Sequence, residues 1–167
     1  MAHLLQSLPL NMTSPEGRRL PAPTADLLTW LLREGLDVRI RLGGWSMKPL
    51  VPSGSLLHFR GFSRSGEPSL GDVVLARLPN EALVAHRVIA LDSDRIWTKG
   101  DACLTADHPF SRESVIALAV RLEGRISLPL SNVLMRALGL VVNRLYPRLV
   151  RRFRALVPRR VRGETAR

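Results

Sequence analysis

A serine, a histidine and two aspartates are spaced along this chain in a way that could support cleavage of an acyl bond. Ser46 lies in the turn-like segment Gly44–Pro49 (GWSMKP), and His86 follows forty residues later in an apolar segment. Asp101 and Asp107 come next and are the candidate acids. A serine hydroxyl is a poor nucleophile until a base removes its proton, and neutral imidazole near pH 7 suits that task. The three residue types together therefore indicate a serine hydrolase.

Each of these residues also has a plain structural interpretation. A serine in a turn is more often a capping residue than a nucleophile, and a histidine on an apolar strand is usually a hydrogen-bonded structural residue. Asp101 follows a glycine in a loop, where aspartate commonly forms an Asx turn. His58 and His108 are competing bases, and His108 stands beside Asp107. The residue types alone therefore leave the site open.

The segments around these residues resemble the signal peptidase family, in particular the archaeal and endoplasmic-reticulum branch that uses serine and histidine instead of serine and lysine. That branch has a Gly-x-Ser-Met-x-Pro box, a Gly-Asp-Val-Val strand, a His-Arg-Val-Ile strand and a Lys-Gly-Asp loop followed by a later aspartate. This chain has four such segments in that order: Gly44–Pro49, Gly71–Val74, His86–Ile89 and Thr98–Asp101. The resemblance covers about residues 43–121, and four boxes in register are far more specific than any one of them.

The resemblance implies a role for each candidate residue. Ser46 would attack the scissile carbonyl, and His86 would take its proton and later protonate the leaving amine. Asp107 would orient His86 and Asp101 would support the site, although these two assignments are interchangeable at this stage. The backbone N–H of Ser46 is the expected donor to the oxyanion. No cofactor and no metal ion are expected.

The resemblance also implies a groove in which an extended peptide adds along a strand edge, with small side chains favoured just before the cut. The expected substrate-binding residues surround the nucleophile: Gly44, Met47, Pro49 and Leu50. The predicted partner is a peptide or precursor protein, either a membrane-delivered precursor or the leader of a small ribosomally made peptide. The alternative is a catalytically degenerate binding module, because Gly54-Ser55 and Ala102-Cys103 depart from the family pattern.

A lysine base is disfavoured, although bacterial signal peptidases and the self-cleaving SOS repressors of the same superfamily use one. The chain has two lysines, Lys48 and Lys99, and His86 occupies the position that the basic lysine would take. Self-cleaving repressors also cut an Ala-Gly or Cys-Gly bond, and neither dipeptide occurs in this sequence. The single cysteine, Cys103, excludes an intramolecular disulfide framework.

Positive charge is concentrated at the C-terminal end. The chain of 167 residues has a formal net charge of +11, yet residues 136–167 contain ten arginines and one acid, Glu164. The remainder is therefore close to neutral. A basic tail on a near-neutral domain suggests attraction to phosphates. Nucleic acid is the less expected partner, because only 5% of the residues are aromatic and could stack on bases.

The pattern of elements predicts one mainly β domain with a short N-terminal helix and a C-terminal helical extension. Residues 1–23 form a proline-rich flexible arm, residues 24–125 the catalytic domain and residues 126–167 the basic extension. The helix is expected from Ala25 to about Glu34, capped by Thr24. Alternating apolar residues predict strands over 38–42, 56–59, 72–78, 82–91, 95–98 and 115–122. Evenly spaced strands without intervening helices favour an antiparallel sheet.

The extension is predicted to be an apolar helix, broken or kinked at Pro147, followed by a short basic amphipathic helix. In the first helix Asn132, Arg136, Gly139 and Asn143 fall on one narrow stripe, and the other positions are expected to face apolar surroundings. This pattern is typical of an element in the interface of an anionic membrane, and packing on the β domain is the equal alternative. Without a secretory signal or an N-terminal anchor, the protein is expected to be cytoplasmic or peripherally membrane-associated.

Overall fold

The computed structural model describes residues 9–11, 22–78, 81–123 and 127–156, and within these ranges it describes the side chains of residues 25–152. The elements in chain order are β1 (Pro9–Asn11), α1 (Ala22–Arg33), β2 (Val38–Arg41), β3 (Leu56–Gly61), α2 (Phe62–Ser65), β4 (Val73–Arg77), β5 (Leu83–Leu91), β6 (Arg95–Lys99), β7 (Phe110–Ser111), a 3₁₀ turn (Arg112–Ser114), β8 (Val115–Glu123), β9 (Leu128–Pro129) and α3 (Val133–Leu156).

The strands form a single sheet in the order β1-β2-β3-β8-β4-β5-β6-β7, with β9 paired to β8. The pairing of β1 with β2 is parallel, and the other pairings in this sheet are antiparallel. Strand β8 is central because it contacts β3, β4 and β9, and its first five residues are buried. The prediction of a mainly β fold with a short N-terminal helix and a C-terminal helix is confirmed.

Helix α1 covers one face of the sheet and completes the larger core. Leu28 and Leu32 are fully buried and lie in one cluster with Ile40 and Phe59 of the sheet. The helix begins at Ala22, three residues before the predicted start. Proline in a first helical turn is tolerated because its missing N–H would have no intrahelical acceptor there. The helix was thus predicted correctly, but its start was placed three residues too late.

The predicted N-terminal arm contributes one short strand to the sheet. Residues 9–11 pair with residues 39–41 of β2. The rest of that predicted arm, residues 1–8 and 12–21, lies outside the described ranges, as do residues 157–167 of the predicted extension. None of the described helices is long and apolar enough to cross a membrane.

Helix α3 differs from its prediction at Pro147, because one helix continues through this residue. A proline at this position cannot donate to the carbonyl four residues earlier, which belongs to Asn143. Lys99 supplies the missing donor, since its Nζ lies 2.7 Å from Asn143 O. A side chain from the sheet therefore satisfies the acceptor that Pro147 leaves free, and this explains how the helix can continue.

The prediction for the faces of α3 is wrong in its orientation. Three residues of the predicted stripe, Arg136, Gly139 and Asn143, face the sheet, and the fourth, Asn132, is exposed. The large apolar side chains on the other side of the helix are exposed. The reason lies in the sheet, which presents two buried carboxylates, Asp72 and Asp101, at 2% and 0% exposure. Buried charges require partners, and α3 turns its polar side towards them.

Candidate active site

His86 and Asp107 form a hydrogen-bonded pair at the end of the β5–β6 hairpin. The backbone N–H of Asp107 donates to Thr98 O at 2.9 Å, which folds the loop after β6 back along that strand. The loop brings Asp107 Oδ2 to 2.7 Å from His86 Nδ1 on the neighbouring strand β5. An ionised carboxylate only accepts, so Nδ1 carries the proton. The other ring nitrogen, Nε2, is then the unprotonated one and is available as a base.

The environment of Asp107 favours its ionised form. Burial by itself raises the pKa of a carboxyl group, but hydrogen bonds from His86 Nδ1 and Thr98 Oγ1 outweigh it and hold the pKa of Asp107 below its usual value. Thr98 Oγ1 donates to Oδ2 at 2.5 Å, and the threonine is fully buried on β6. Two donors on one oxygen thus keep a half-buried carboxylate charged beside the imidazole.

Ser46 lies in the turn after β2 and is fixed by the loop that follows β6. Its carbonyl accepts from the backbone N–H of Ala102 at 2.7 Å. Gly100 lies so close that an added Cβ would come within 2.9 Å of Ser46 Cβ and 2.7 Å of Ser46 O. Only glycine at position 100 allows the loop to lie this close to Ser46. One loop, residues 100–107, therefore contacts Ser46 at its start and His86 at its end.

The described residues include no hydrogen bond from the Ser46 hydroxyl to His86. Such contacts between nucleophile and base are often long in ligand-free enzymes and tighten when substrate binds. The turn at Ser46 is shaped by Gly44, whose φ of +92° lies in the region that favours glycine. Ser46 is half-buried at this turn.

Asp101 has different partners from Asp107. Its two oxygens accept from Arg87 Nε at 2.8 Å and Arg87 Nη2 at 2.7 Å, and Asn143 Nδ2 donates to Oδ1 at 3.0 Å. Arg87 also donates to Gly71 O at 2.7 Å, and the ion pair is almost completely buried. Of the two candidate acids, Asp107 contacts His86, whereas Asp101 joins β5 to the loop and to α3.

The competing bases and the two lysines are engaged elsewhere or exposed. His58 on β3 lies 2.6 Å from Glu123 Oε2 on β8, and His108 is exposed. The Lys48 ammonium stacks on Trp45, 3.4 Å from the ring centroid. The Lys99 ammonium donates to α3, as described above, and burial lowers its pKa.

The predicted substrate-binding residues differ in their access to solvent. Gly44 and Pro49 are exposed and Leu50 is half-buried, so these three could contact a bound peptide. Met47 is only 4% exposed and belongs to the larger core. Its side chain therefore supports the turn from below. A cleft of about 700 Å³ has Asp107 and His108 on its wall, but neither Ser46 nor His86 lines it.

A comparison with protein families matches residues 24–123 to the signal peptidase family, peptidase S26. The matched region covers more than half of the chain and contains Ser46, His86, Asp101 and Asp107. The chain belongs to the signal peptidase family. A comparison with curated proteins finds no match. The family is one of serine peptidases, so membership supports a signal peptidase-like function for this chain.

The backbone makes hydrogen bonds at both departures from the signal peptidase pattern, Gly54-Ser55 and Ala102-Cys103. At Ala102-Cys103 the backbone N–H of Ala102 donates to Ser46 O. At Gly54-Ser55 the departing residue is Ser55, whose carbonyl accepts from the backbone N–H of Leu42 at 2.9 Å.

The sequence did not identify three residues that contribute to the candidate site: Thr98, Arg87 and Asn143. Thr98 occupies an inward position of β6, where a buried hydroxyl needs a partner. Arg87 is a charge within an apolar strand, a signal that an acid must lie nearby. Asn143 belongs to the polar stripe of α3. In each case the sequence feature that could have identified the residue was a polar side chain at a position where the apolar pattern predicts burial.

Proposed function

We propose that this chain is a serine endopeptidase that removes a signal or leader peptide from a precursor polypeptide through Ser46, His86 and Asp107. The observation that carries the proposal is the hydrogen bond of 2.7 Å between His86 Nδ1 and Asp107 Oδ2, made by the loop that also contacts Ser46. It is the arrangement in which an imidazole presents a free Nε2 to a nucleophile. Membership of a serine peptidase family supports the same chemistry.

In the proposed mechanism Ser46 Oγ attacks the scissile carbonyl while His86 Nε2 takes its proton. Asp107 stabilises the resulting imidazolium, and its lowered pKa ensures that it is ionised when His86 becomes charged. The imidazolium then gives its proton to the leaving amine, and a water molecule, deprotonated by the same nitrogen, hydrolyses the acyl-enzyme. The backbone N–H of Ser46 is the proposed donor to the tetrahedral oxyanion.

The proposal is tested with a serine-directed phosphonate or penem and intact-mass detection of the adduct. The wild-type protein is expected to be labelled, and Ser46→Ala and His86→Ala are expected to abolish labelling. Ser53→Ala is the matched serine control, since Ser53 is exposed in the same turn region. His108→Ala is the matched histidine control, because His108 is the exposed neighbour of Asp107. Both controls should label at the wild-type rate.

The same variants are then compared on precursor peptides from a host extract, with cleavage read by mass spectrometry. Cleavage that depends on Ser46 and His86 and produces a new N-terminus would identify the substrate. Loss of labelling in His108→Ala but not in His86→Ala would overturn the assignment of the base. Absence of both labelling and Ser46-dependent cleavage would favour the binding-module alternative.

A further inference from the structure

Helix α3 exposes a continuous apolar surface while its polar side is fixed to the sheet. Its exposed large apolar residues, with exposed fractions of 44–79%, are Val133, Leu134, Leu138, Val141, Leu145 and Leu149. From Leu134 to Leu149, steps of three and four residues place these side chains on one side of the helix. At 1.5 Å per residue the whole set, which begins at Val133, extends over roughly 24 Å. We call this set the outer stripe. Soluble surfaces rarely leave so continuous an apolar surface without a partner.

The outer stripe cannot turn inwards without breaking hydrogen bonds from α3 to two buried carboxylates. On the inner side Arg136 Nε donates to Asp72 Oδ1 at 2.6 Å, and Asn143 Nδ2 donates to Asp101 Oδ1 at 3.0 Å. Gly139 packs directly on the Arg87 guanidinium, where an added Cβ would lie 2.2 Å from Arg87 Nη1. Rotation of α3 would leave Asp72 with one donor fewer inside the protein, which is costly. The exposure of the stripe is therefore fixed by the packing.

The charges beside the outer stripe identify the chemistry of its partner. Helix α3 contains six arginines and no acidic residue. Arg136 is paired with Asp72, whereas four arginines of α3 are exposed around the C-terminal half of the stripe: Arg144, Arg148, Arg151 and Arg152. An apolar stripe bordered by arginines matches a bilayer with anionic headgroups, which offers an apolar boundary and negative charge together.

A second copy of the chain and a nucleic acid would each match either the apolar stripe or the arginines, but not both. A second copy of the chain would cover the stripe but would bring the arginines of two α3 helices close together, because no acid on α3 can pair with them. A nucleic acid would pair with the arginines but would leave the leucines exposed. We infer that the outer stripe and its four arginines bind the surface of an anionic lipid bilayer, with α3 lying in the plane of the interface. This inference does not depend on catalytic activity.

The test measures binding of the full-length protein to vesicles by co-sedimentation. Vesicles of phosphatidylcholine alone are compared with vesicles containing 30% phosphatidylglycerol, at low salt and at 0.5 M salt. We expect strong binding to the anionic vesicles that weakens with salt, and at least tenfold weaker binding to neutral ones. The stripe variant Leu134→Asn/Val141→Asn/Leu145→Asn and the charge variant Arg144→Gln/Arg148→Gln/Arg151→Gln should each lose about tenfold or more in affinity.

Matched controls change the same residue types outside α3. Leu27→Asn/Leu70→Asn replaces exposed leucines, and Arg33→Gln/Arg95→Gln replaces exposed arginines. These controls should bind vesicles like the wild type. The substituted side chains of the stripe are exposed, so the variants should fold, and an unchanged circular dichroism melting curve verifies this for each.

Three results would overturn the inference. The first is that the stripe is not needed for binding to anionic vesicles. Either the wild type does not bind them, or the stripe variant still binds them and the arginines alone account for the binding. The second is a concentration-dependent dimer in sedimentation velocity that the stripe variant abolishes, which would assign the stripe to a second copy. The third is salt-sensitive binding to duplex DNA at least as tight as binding to anionic vesicles, which would assign the arginines to nucleic acid.

Discussion

At the scale of single residues, the candidate site depends on how Asp107 is kept charged while it is half-buried. Two hydrogen bonds converge on its Oδ2, from His86 Nδ1 and from Thr98 Oγ1. They offset the desolvation that would otherwise raise its pKa. Among the described residues Thr98 makes no hydrogen bond to Ser46, so its contribution can be separated from the proposed chemistry. It acts through the ionisation and position of Asp107.

We predict that Thr98→Val, which removes one donor and preserves shape, lowers the free energy of unfolding by about 1–2 kcal/mol at pH 7. The pKa of Asp107 is lower in the folded protein than in the unfolded chain, where it is about 3.9. The hydrogen bond from Thr98 therefore stabilises the fold at pH values above about 3.9, and this stabilisation is lost as the pH falls through the pKa of the folded protein. The difference between variant and wild type should therefore narrow below about pH 4. Urea denaturation at pH 7, 5 and 3 measures the difference in unfolding free energy between Thr98→Val and the wild type. A difference that does not change with pH would contradict the role of Thr98 as a donor to the ionised Asp107.

The two aspartates can be distinguished by matched Asp→Asn substitutions. Asp107→Asn should lower kcat by about 10³- to 10⁴-fold, because an amide cannot hold His86 in the required tautomer and charge. Its loss of stability should be smaller than that of Asp101→Asn, since Asp107 is only half-buried. Asp101→Asn should leave the tautomer of His86 intact but lower the free energy of unfolding by about 3–5 kcal/mol, because Arg87 would stay buried without its counter-charge.

Kinetics on any Ser46-dependent substrate and urea denaturation of both variants provide the measurement. If Asp101→Asn proved stable and inactive while Asp107→Asn retained activity, the two roles would be exchanged. The sequence alone left these roles interchangeable because both acids follow the same strand and lie six residues apart. Only the register of the loop along β6 decides which carboxylate faces His86.

At the scale of elements, the longer antiparallel strands were predictable from sequence, whereas the short strand β1 and the orientation of α3 were not. Alternating apolar residues predicted strands such as β2 and β5, since burial on one face imposes a period of two. A helical period likewise showed that α3 has two unlike sides. It could not show which side faces the protein, because that choice depends on Asp72 and Asp101, buried carboxylates on distant parts of the chain.

Gly139 provides a sharp test of this packing. Replacing an exposed helical glycine by alanine usually stabilises a helix by about 0.5–1 kcal/mol. We predict that Gly139→Ala destabilises the protein by about 1–3 kcal/mol, because its Cβ would overlap the Arg87 guanidinium. That group cannot move cheaply, since it is hydrogen-bonded to Asp101 and to Gly71 O. The measurement is thermal or urea unfolding.

Ala137→Gly is the calibrating variant for Gly139→Ala. Ala137 is exposed on the same helix, and its replacement should lower stability only by the difference in helix propensity. Stabilisation by Gly139→Ala would mean that α3 does not rest on Arg87 in solution, and the inferred exposure of the outer stripe would then lose its structural basis.

At the scale of the whole molecule, α3 lies outside the matched family region, residues 24–123, yet contacts the loop of the candidate site. Lys99 Nζ donates to Asn143 O, and Asn143 Nδ2 donates to Lys99 O at 3.2 Å and to Asp101. These contacts flank Gly100, the residue against which Ser46 packs. The helix therefore supports the same loop that positions Ser46 and Asp107. Any partner that binds the outer stripe would act on a helix attached to the site.

This arrangement predicts that a chain ending at Ser131 is less stable and less reactive, although it retains every residue of the matched region and the buried Leu130. It would lose the hydrogen bonds from Arg136 and Asn143 to buried carboxylates and should lose about 3 kcal/mol or more of unfolding free energy. Labelling of Ser46 by the phosphonate should slow, because the loop at Gly100 loses its support. A chain ending at Leu156 is the control, since it keeps α3 and removes only residues 157–167. Equal stability and equal labelling rates in the two truncated chains would show that the β domain positions its nucleophile without the helix.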